Sequence, residues 1–173
     1  MISCKKSDSP ITKVTPVDLD SITANYYEQY LKLYPLDATA QGDERYNDQL
    51  PINIDKDFIS GEITFYNSVQ NQLKKVDYKS LSDQDKTVYD VLDYTLKDKI
   101  ERYAYHPEYI PFTQFSGLPL DFPLLGSGQG NQPFKTEKDY SDWLKRTENF
   151  RAWMDAAIEN FREGITNQYG LPK

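Results

Sequence analysis

Apolar side chains recur along most of the chain at steps of three and four residues, the spacing that gathers them on one face of an α-helix. Leu19, Ile22, Tyr26, Tyr30 and Leu33 form the first such stripe, preceded by Thr15 as a cap, Pro16 at a first helical position and Asp18 completing a capping-box-like pattern. It must stop at Tyr34, because the proline that follows disfavours helical backbone there. The run "PLDATAQG" then predicts a short helix opened by Pro35 and ended by Gly42, and "DERYNDQLPIN" predicts a loop. Ile59, Ile63, Tyr66, Val69, Leu73 and Val76 place a second long helix over 55–76, with Gly61 a local weakness. Ser82 caps a third, whose expected buried face is Val88, Val91, Leu92, Leu96, Ile100 and Tyr103, and His106-Pro107 should close it. Thr136 with Asp139 three residues on opens a fourth, with Tyr140, Trp143, Leu144 and Thr147 inward. Phe150, Trp153, Ala157, Ile158, Phe161 and Ile165 carry a fifth to a stop at Gly170, and the join near Glu148-Asn149 reads equally as a kink or as continuous helix.

No stretch alternates apolar and polar as a strand does, and nothing repeats. The fold class expected is all-α, an antiparallel array of about five to six helices interrupted by one long loop over 106–134. That loop holds five prolines and four glycines, and such length in a compact domain tends to be functional. Residues 1–15 read as a disordered tail and 16–173 as one helical domain.

Composition narrows the chemistry. The 24 aromatic residues (14 Tyr, 8 Phe, 2 Trp) enlarge a core that 38% apolar content alone would leave small. A formal charge of −7 leaves no basic stripe for phosphates, which argues against nucleic acid as a partner. No run reaches the ~20 apolar residues of a membrane-spanning helix. One His and one Cys cannot build a histidine-rich zinc site, and any Ser-His-Asp arrangement would have to use His106, where no GxSxG elbow accompanies a serine. His106 itself reads as a helix-terminal residue rather than a ligand. Glu101, Glu108 and Asp121 read as solvated acids.

The stretch "FPLLGSGQGNQPF" over 122–134 is the most site-like in the chain. It lacks the lysine and hydroxyl of a phosphate loop and the spacing of a dinucleotide fingerprint, so it offers unhindered backbone that approaches another surface closely and adopts positive φ. Ser127, Gly128, Gln129, Gly130 and Asn131 are the candidate residues for lining a cleft or docking a neighbouring domain. The loop aromatics Tyr105, Tyr109, Phe112, Phe115, Phe122 and Phe134 either line such a cleft or, the more economical reading, anchor the loop to the helices.

At the other end, "MISCKKSDSP" resembles the end of a bacterial lipobox, with Cys4 the residue that would carry the lipid, although too few residues precede it for a complete signal peptide. A lipid on Cys4 implies the cell envelope and a membrane association through the anchor alone. An ordinary cytoplasmic tail is the alternative.

Three stretches together carry a family resemblance: "YYEQYLKLYPLDATAQGDERYND", "DYKSLSDQDKTVYDVLDYTL" and "YIPFTQFSGLPLDFPLLGSGQGNQPFKTEKDYSDWLKR". They resemble the N-terminal part of the bacterial proteins catalogued as domain of unknown function 885, especially lipoprotein members from Bacteroidetes. The resemblance implies a helical metallopeptidase-like hydrolase that uses zinc and a His-Glu-x-x-His motif on a peptide substrate. That motif lies in the C-terminal part of the family, and no residue here matches it, so no catalytic or metal role transfers to this chain. The expectation is a truncated N-terminal fragment, without cofactor of its own and inactive alone, whose chief partner is the remainder of its own polypeptide. A stand-alone helical binding or scaffold module is the alternative.

Overall fold

The structure is a computed structural model that describes residues 18–170. Six α-helices appear there, α1 (Leu19–Leu33), α2 (Pro35–Ala40), α3 (Lys56–Leu73), α4 (Asp83–Glu101), α5 (Leu118–Leu125) and α6 (Glu137–Thr166), with four short 3-10 turns and no strand among the described residues. The all-α expectation holds. Thr15 and Pro16 lie outside the described residues, and Asp18 occupies the N-cap position of α1.

Helices α1, α3 and α4 share one core of Leu19, Ile22, Tyr66, Val69, Leu73, Leu92 and Leu96. The short link between α3 and α4, with a 3-10 turn at Tyr78–Ser80, makes those two helices antiparallel neighbours. α4 ends earlier than its sequence suggests, at Glu101, and a 3-10 turn Arg102–Tyr105 carries the chain to His106.

α6 is the spine. Its 30 residues run unbroken, about 45 Å at the usual helical rise, so the join at Glu148-Asn149 is continuous helix. A capping box starts it as expected: Thr136 accepts from the Asp139 amide while Asp139 accepts from the backbone N–H of Thr136. It ends at Thr166, where Gln168 rather than Gly170 takes the left-handed conformation (φ 64°).

Two connecting segments run along this spine in opposite directions. The segment 48–56 ascends it, pairing Asp48 with Lys145 (3.1 Å), Asn53 with Trp153 Nε1 (2.9 Å), the Ile54 carbonyl with Asn160 Nδ2 (2.7 Å) and Lys56 with Glu163 (2.8 Å). The proline-rich segment descends it: Tyr109 abuts Gly164, Phe112 packs edge-on against Phe161, Phe122 stacks on Phe150 and Trp143, and Phe134 meets Trp143 and Tyr140. Four of the six loop aromatics are therefore anchors. Tyr105 and Phe115 are the exceptions, 70% and 85% exposed.

The descending segment is not the unstructured loop its prolines suggest. It contains α5 and a 3-10 turn at Pro107–Tyr109. Pro119 sits in the first turn of α5, where its missing N–H costs nothing, and only Pro123 falls inside a helix that Gly117 and Gly126 bound closely.

Helix faces also depart from expectation. Val88, Val91, Tyr140, Leu144, Ile158 and Ile165 are exposed, as is Thr147, while Asp139, Asp142 and Arg146 are buried on α6 and Glu62 on α3. The physical reason is that each of these polar side chains finds partners, Arg146 and Glu62 on other elements, Asp139 in the backbone N–H groups of Lys135 and Thr136, and Asp142 in Lys138 on its own helix, which makes their burial tolerable.

Candidate functional site

Two buried charges organise the interior. Glu62, 1% exposed, accepts hydrogen bonds from the hydroxyls of Tyr34 and Tyr66 on Oε1 and of Tyr103 on Oε2. It thereby ties α3 to the end of α1 and to the turn after α4. Burial first, and then donation to Glu62, pushes the pKa values of all three tyrosines well above the ordinary tyrosine value. The Lys99 ammonium lies 5.5 Å from the ring centroids of Tyr30 and Tyr34 and 5.7 Å from that of Tyr66, a cation over the electron-rich faces of the same cluster.

Arg146 is fully buried on α6 and donates to five acceptors. Nε reaches the Gln49 carbonyl (3.1 Å), Nη1 reaches Gln132 Oε1, and Nη2 reaches the carbonyls of Pro35 (3.2 Å) and Tyr46 (3.0 Å) and the Thr39 hydroxyl (2.7 Å). None of the five is a carboxylate. Burial draws its pKa down to about 10, and Asp48 and Asp142 oppose this only across space. Both acids are already paired, Asp48 with Lys145 and Asp142 with Lys138.

The glycine loop lies over this guanidinium. A cavity of about 450 Å³ opens between the loop and the α2–Asn47 segment, with Gly128, Gly130, Asn131, Gln132, Thr39 and Asn47 among its walls. Of the five loop candidates, Gly128, Gly130 and Asn131 line it. Ser127 and Gln129 do not: the Ser127 hydroxyl donates to the Leu124 carbonyl (2.7 Å) and accepts from the Gln129 amide (3.2 Å), closing the turn. The glycines serve distinct ends. A Cβ on Gly126 would strike the Trp143 ring, one on Gly130 would stand 2.8 Å from Leu125 Cα, and Gly128 adopts φ 77°. Cys4 lies outside the described residues.

A second cavity, about 400 Å³, sits between the ends of α1 and α2, segment 50–54 and the turns at 102–111, with Leu33, Pro35, Ile54, Tyr103, Glu108 and Trp153 on its walls. His106, left-handed at φ 51°, places Nδ1 2.9 Å from Glu108 Oε1 and stacks its ring on Tyr109. Glu108 is thus not a solvated acid: its side chain is 13% exposed and Oε2 has no partner. Glu101 and Asp121 are exposed as expected.

Among the described residues no three His, Cys, Asp or Glu side chains converge as a set for a metal ion. These residues do not fit a zinc site. No helix described is long and apolar enough to cross a membrane.

Sequence reasoning missed Arg146 and Glu62, although a signal for each exists. Stepping back by threes and fours from Ala157 and Trp153 through Phe150 reaches Arg146, Asp142 and Asp139, and stepping back from Leu73, Val69 and Tyr66 reaches Glu62.

Neither a curated protein nor a solved structure matches the chain. A family description does: residues 35–173 match the bacterial proteins of unknown function grouped as DUF885. The matched span takes in α2 to α6, the whole lining of the glycine-loop cavity and that of the second cavity apart from Leu33 and Tyr34, and the chain belongs to that family.

Proposed function

We propose that the chain is a helical, non-catalytic section of an envelope-anchored, peptidase-like hydrolase. Zinc and the glutamate base belong, in this reading, to residues outside these 173. The glycine loop faces the substrate cleft or docks the remainder of the polypeptide, and a lipid on Cys4 supplies the anchor.

The observation that carries this reading is how charge and apolar surface are distributed. The buried charged groups Glu62, Asp139, Asp142 and Arg146 are all engaged in contacts that hold the fold together. Large apolar side chains face outward instead: Val91 on α4, Leu124 on α5, and Leu144 and Ile165 on α6 are each at least 60% exposed. Where such side chains join into a contiguous patch, they mark interaction sites. Family membership and the metallopeptidase-like character of the resemblance supply the rest. The second reading, a stand-alone helical binding or scaffold module, draws on the two cavities.

The test begins with the coding sequence beyond Lys173. An in-frame continuation carrying His-Glu-x-x-His, whose product holds about one zinc and hydrolyses a peptide library until zinc is chelated, is the expected result. Zinc-dependent hydrolysis by the 173-residue chain alone would overturn the assignment of the chemistry elsewhere. A longest in-frame product without such a motif and without hydrolysis would favour the binding module.

A further inference from the structure

The floor of the glycine-loop cavity contains an unfinished electrostatic arrangement. Gln132 is 2% exposed, and its Oε1 accepts from Arg146 Nη1. A guanidinium has only donors, so this contact fixes the amide orientation and leaves Nε2 as a donor. Nε2 is buried without any hydrogen-bond partner. A buried donor that nothing accepts from is left with its full desolvation cost. Behind it stands a buried cation that touches five neutral acceptors and no anion. Hydrogen bonding through the carboxamide polarises it, so the Nε2 hydrogens carry part of the Arg146 charge.

Other donors gather nearby. Asn47, also 2% exposed, faces its Oδ1 to the Thr39 hydroxyl at 2.8 Å and so turns its own Nδ2 away from Thr39. The backbone amides of Gly128, Gly130 and Asn131 find no acceptor among the described residues. The formal charges on the walls are one Lys135 and one Glu44, which offset each other.

We infer that this cavity binds a carboxylate, with Gln132 Nε2 as its principal donor and the unpaired charge of Arg146 as the source of its preference for an anion. The missing partner is an acceptor of one negative charge, and a carboxylate is acceptor-only, planar and singly charged. A phosphate dianion would exceed the single free positive charge. Nε2 is closed to solvent, so a carboxylate oxygen reaches it only as the loop edge gives way; Gly128 on the cavity wall has open space where a Cβ would stand, whereas Gly130 is held against Leu125. The inference concerns a binding site of this chain and is independent of the hydrolase reading, since its test needs no turnover.

The test is a titration of the ¹⁵N-labelled full chain, followed by amide NMR at constant ionic strength, with N-acetylglycine, N-acetylglycinamide and inorganic phosphate as separate probes. N-acetylglycine is expected to shift the Gln132 side-chain resonances and the Gly128–Asn131 amides saturably, with the amide probe at least about tenfold weaker, the equivalent of one charge-assisted hydrogen bond. Gln132→Glu supplies the missing charge from within and should abolish the response while a thermal melt reports an intact fold. The wild-type titration decides the matter even where that variant fails to fold. Absence of a saturable shift, equal response to the amide probe, tighter binding of phosphate, or a long-lived internal water on Nε2 that N-acetylglycine does not displace would each overturn the inference.

Discussion

Two helical glycines test how firmly the proline-rich segment is pinned to α6. Gly61, exposed within α3, has nothing within 4 Å of where a Cβ would stand. Gly164, buried in the last turn of α6, would place that carbon 2.9 Å from Tyr109 Cβ and 3.0 Å from the Tyr109 carbonyl oxygen. Ordinary carbon contacts lie at about 3.5–4.0 Å, so one of the two elements must move. Gly61→Ala gains helix propensity alone, about 0.8–1.0 kcal/mol, and should raise Tm by roughly 2–4 °C in a chain of this size. Gly164→Ala gains no more than that and adds an overpacking cost of about 1–3 kcal/mol. The gap between the variants is therefore about 1–3 kcal/mol, or roughly 2–12 °C in Tm, with Gly164→Ala the lower. Calorimetry of both variants beside the parent measures it, and limited proteolysis across 106–134 should cut the Gly164→Ala chain faster. Were Gly164→Ala to stabilise as Gly61→Ala does, Tyr109 would not rest on α6 and the descending path of the segment would be wrong.

Glu62→Leu should cost roughly 3–5 kcal/mol in urea unfolding, because three tyrosine hydroxyls lose their acceptor, while Glu62→Gln keeps an acceptor and should cost less than half as much; equal effects would refute the tyrosine clamp. Tyr30, Tyr34, Tyr66 and Tyr103 all have raised pKa values, so the folded chain keeps protons that the unfolded chain releases. Their contribution to stability is complete below the free tyrosine value of 10.0 and is lost as pH climbs above it, so absorbance at alkaline pH should show these four ionising only with unfolding. Thr136→Ala should cost about 1 kcal/mol by opening the cap of α6. The Asp139 carboxyl, held below the usual carboxylate range by the backbone N–H groups of Lys135 and Thr136, makes the same end of α6 weaken as pH falls through that lowered value, which amide exchange near Thr136 would register.

Helix positions were legible because capping and periodicity are local. Ser82, Asp55 and Thr136 each accept a hydrogen bond from a backbone amide three residues on, and those residues announce themselves in sequence. Helix faces were less legible where burial is polar. Choosing the largest apolar residues put Tyr140 and Leu144 on the inner face of α6, whereas the acceptors that make Arg146 burial tolerable come mainly from residues 35–49, about a hundred positions upstream. α5 was hidden by its own prolines, which argue against helix unless one stands in the first turn. The glycine loop was recognisable as a place of close approach, yet its donor-rich cavity depends on Asn47 and Thr39, which carry no site-like signal in their own stretch.

What unites these observations is the position of one side chain. Arg146 holds Pro35 and Thr39 of α2, Tyr46 of the 3-10 turn Glu44–Tyr46, Gln49 of the ascending connector, and Gln132 of the glycine loop. These are the segments that bound the glycine-loop cavity on its two sides. A buried cation among neutral acceptors is a poor source of stability, since well-packed apolar side chains often do as well or better in such places. Stability alone therefore gives little reason for a guanidinium at this point of the spine. Its five directed hydrogen bonds do something an apolar side chain does not: they fix residues 35–49 and the glycine loop to α6, and they leave one positive charge and one amide donor without a partner beneath the loop. The same residue that sets the shape of the cavity also sets the sign of what it attracts.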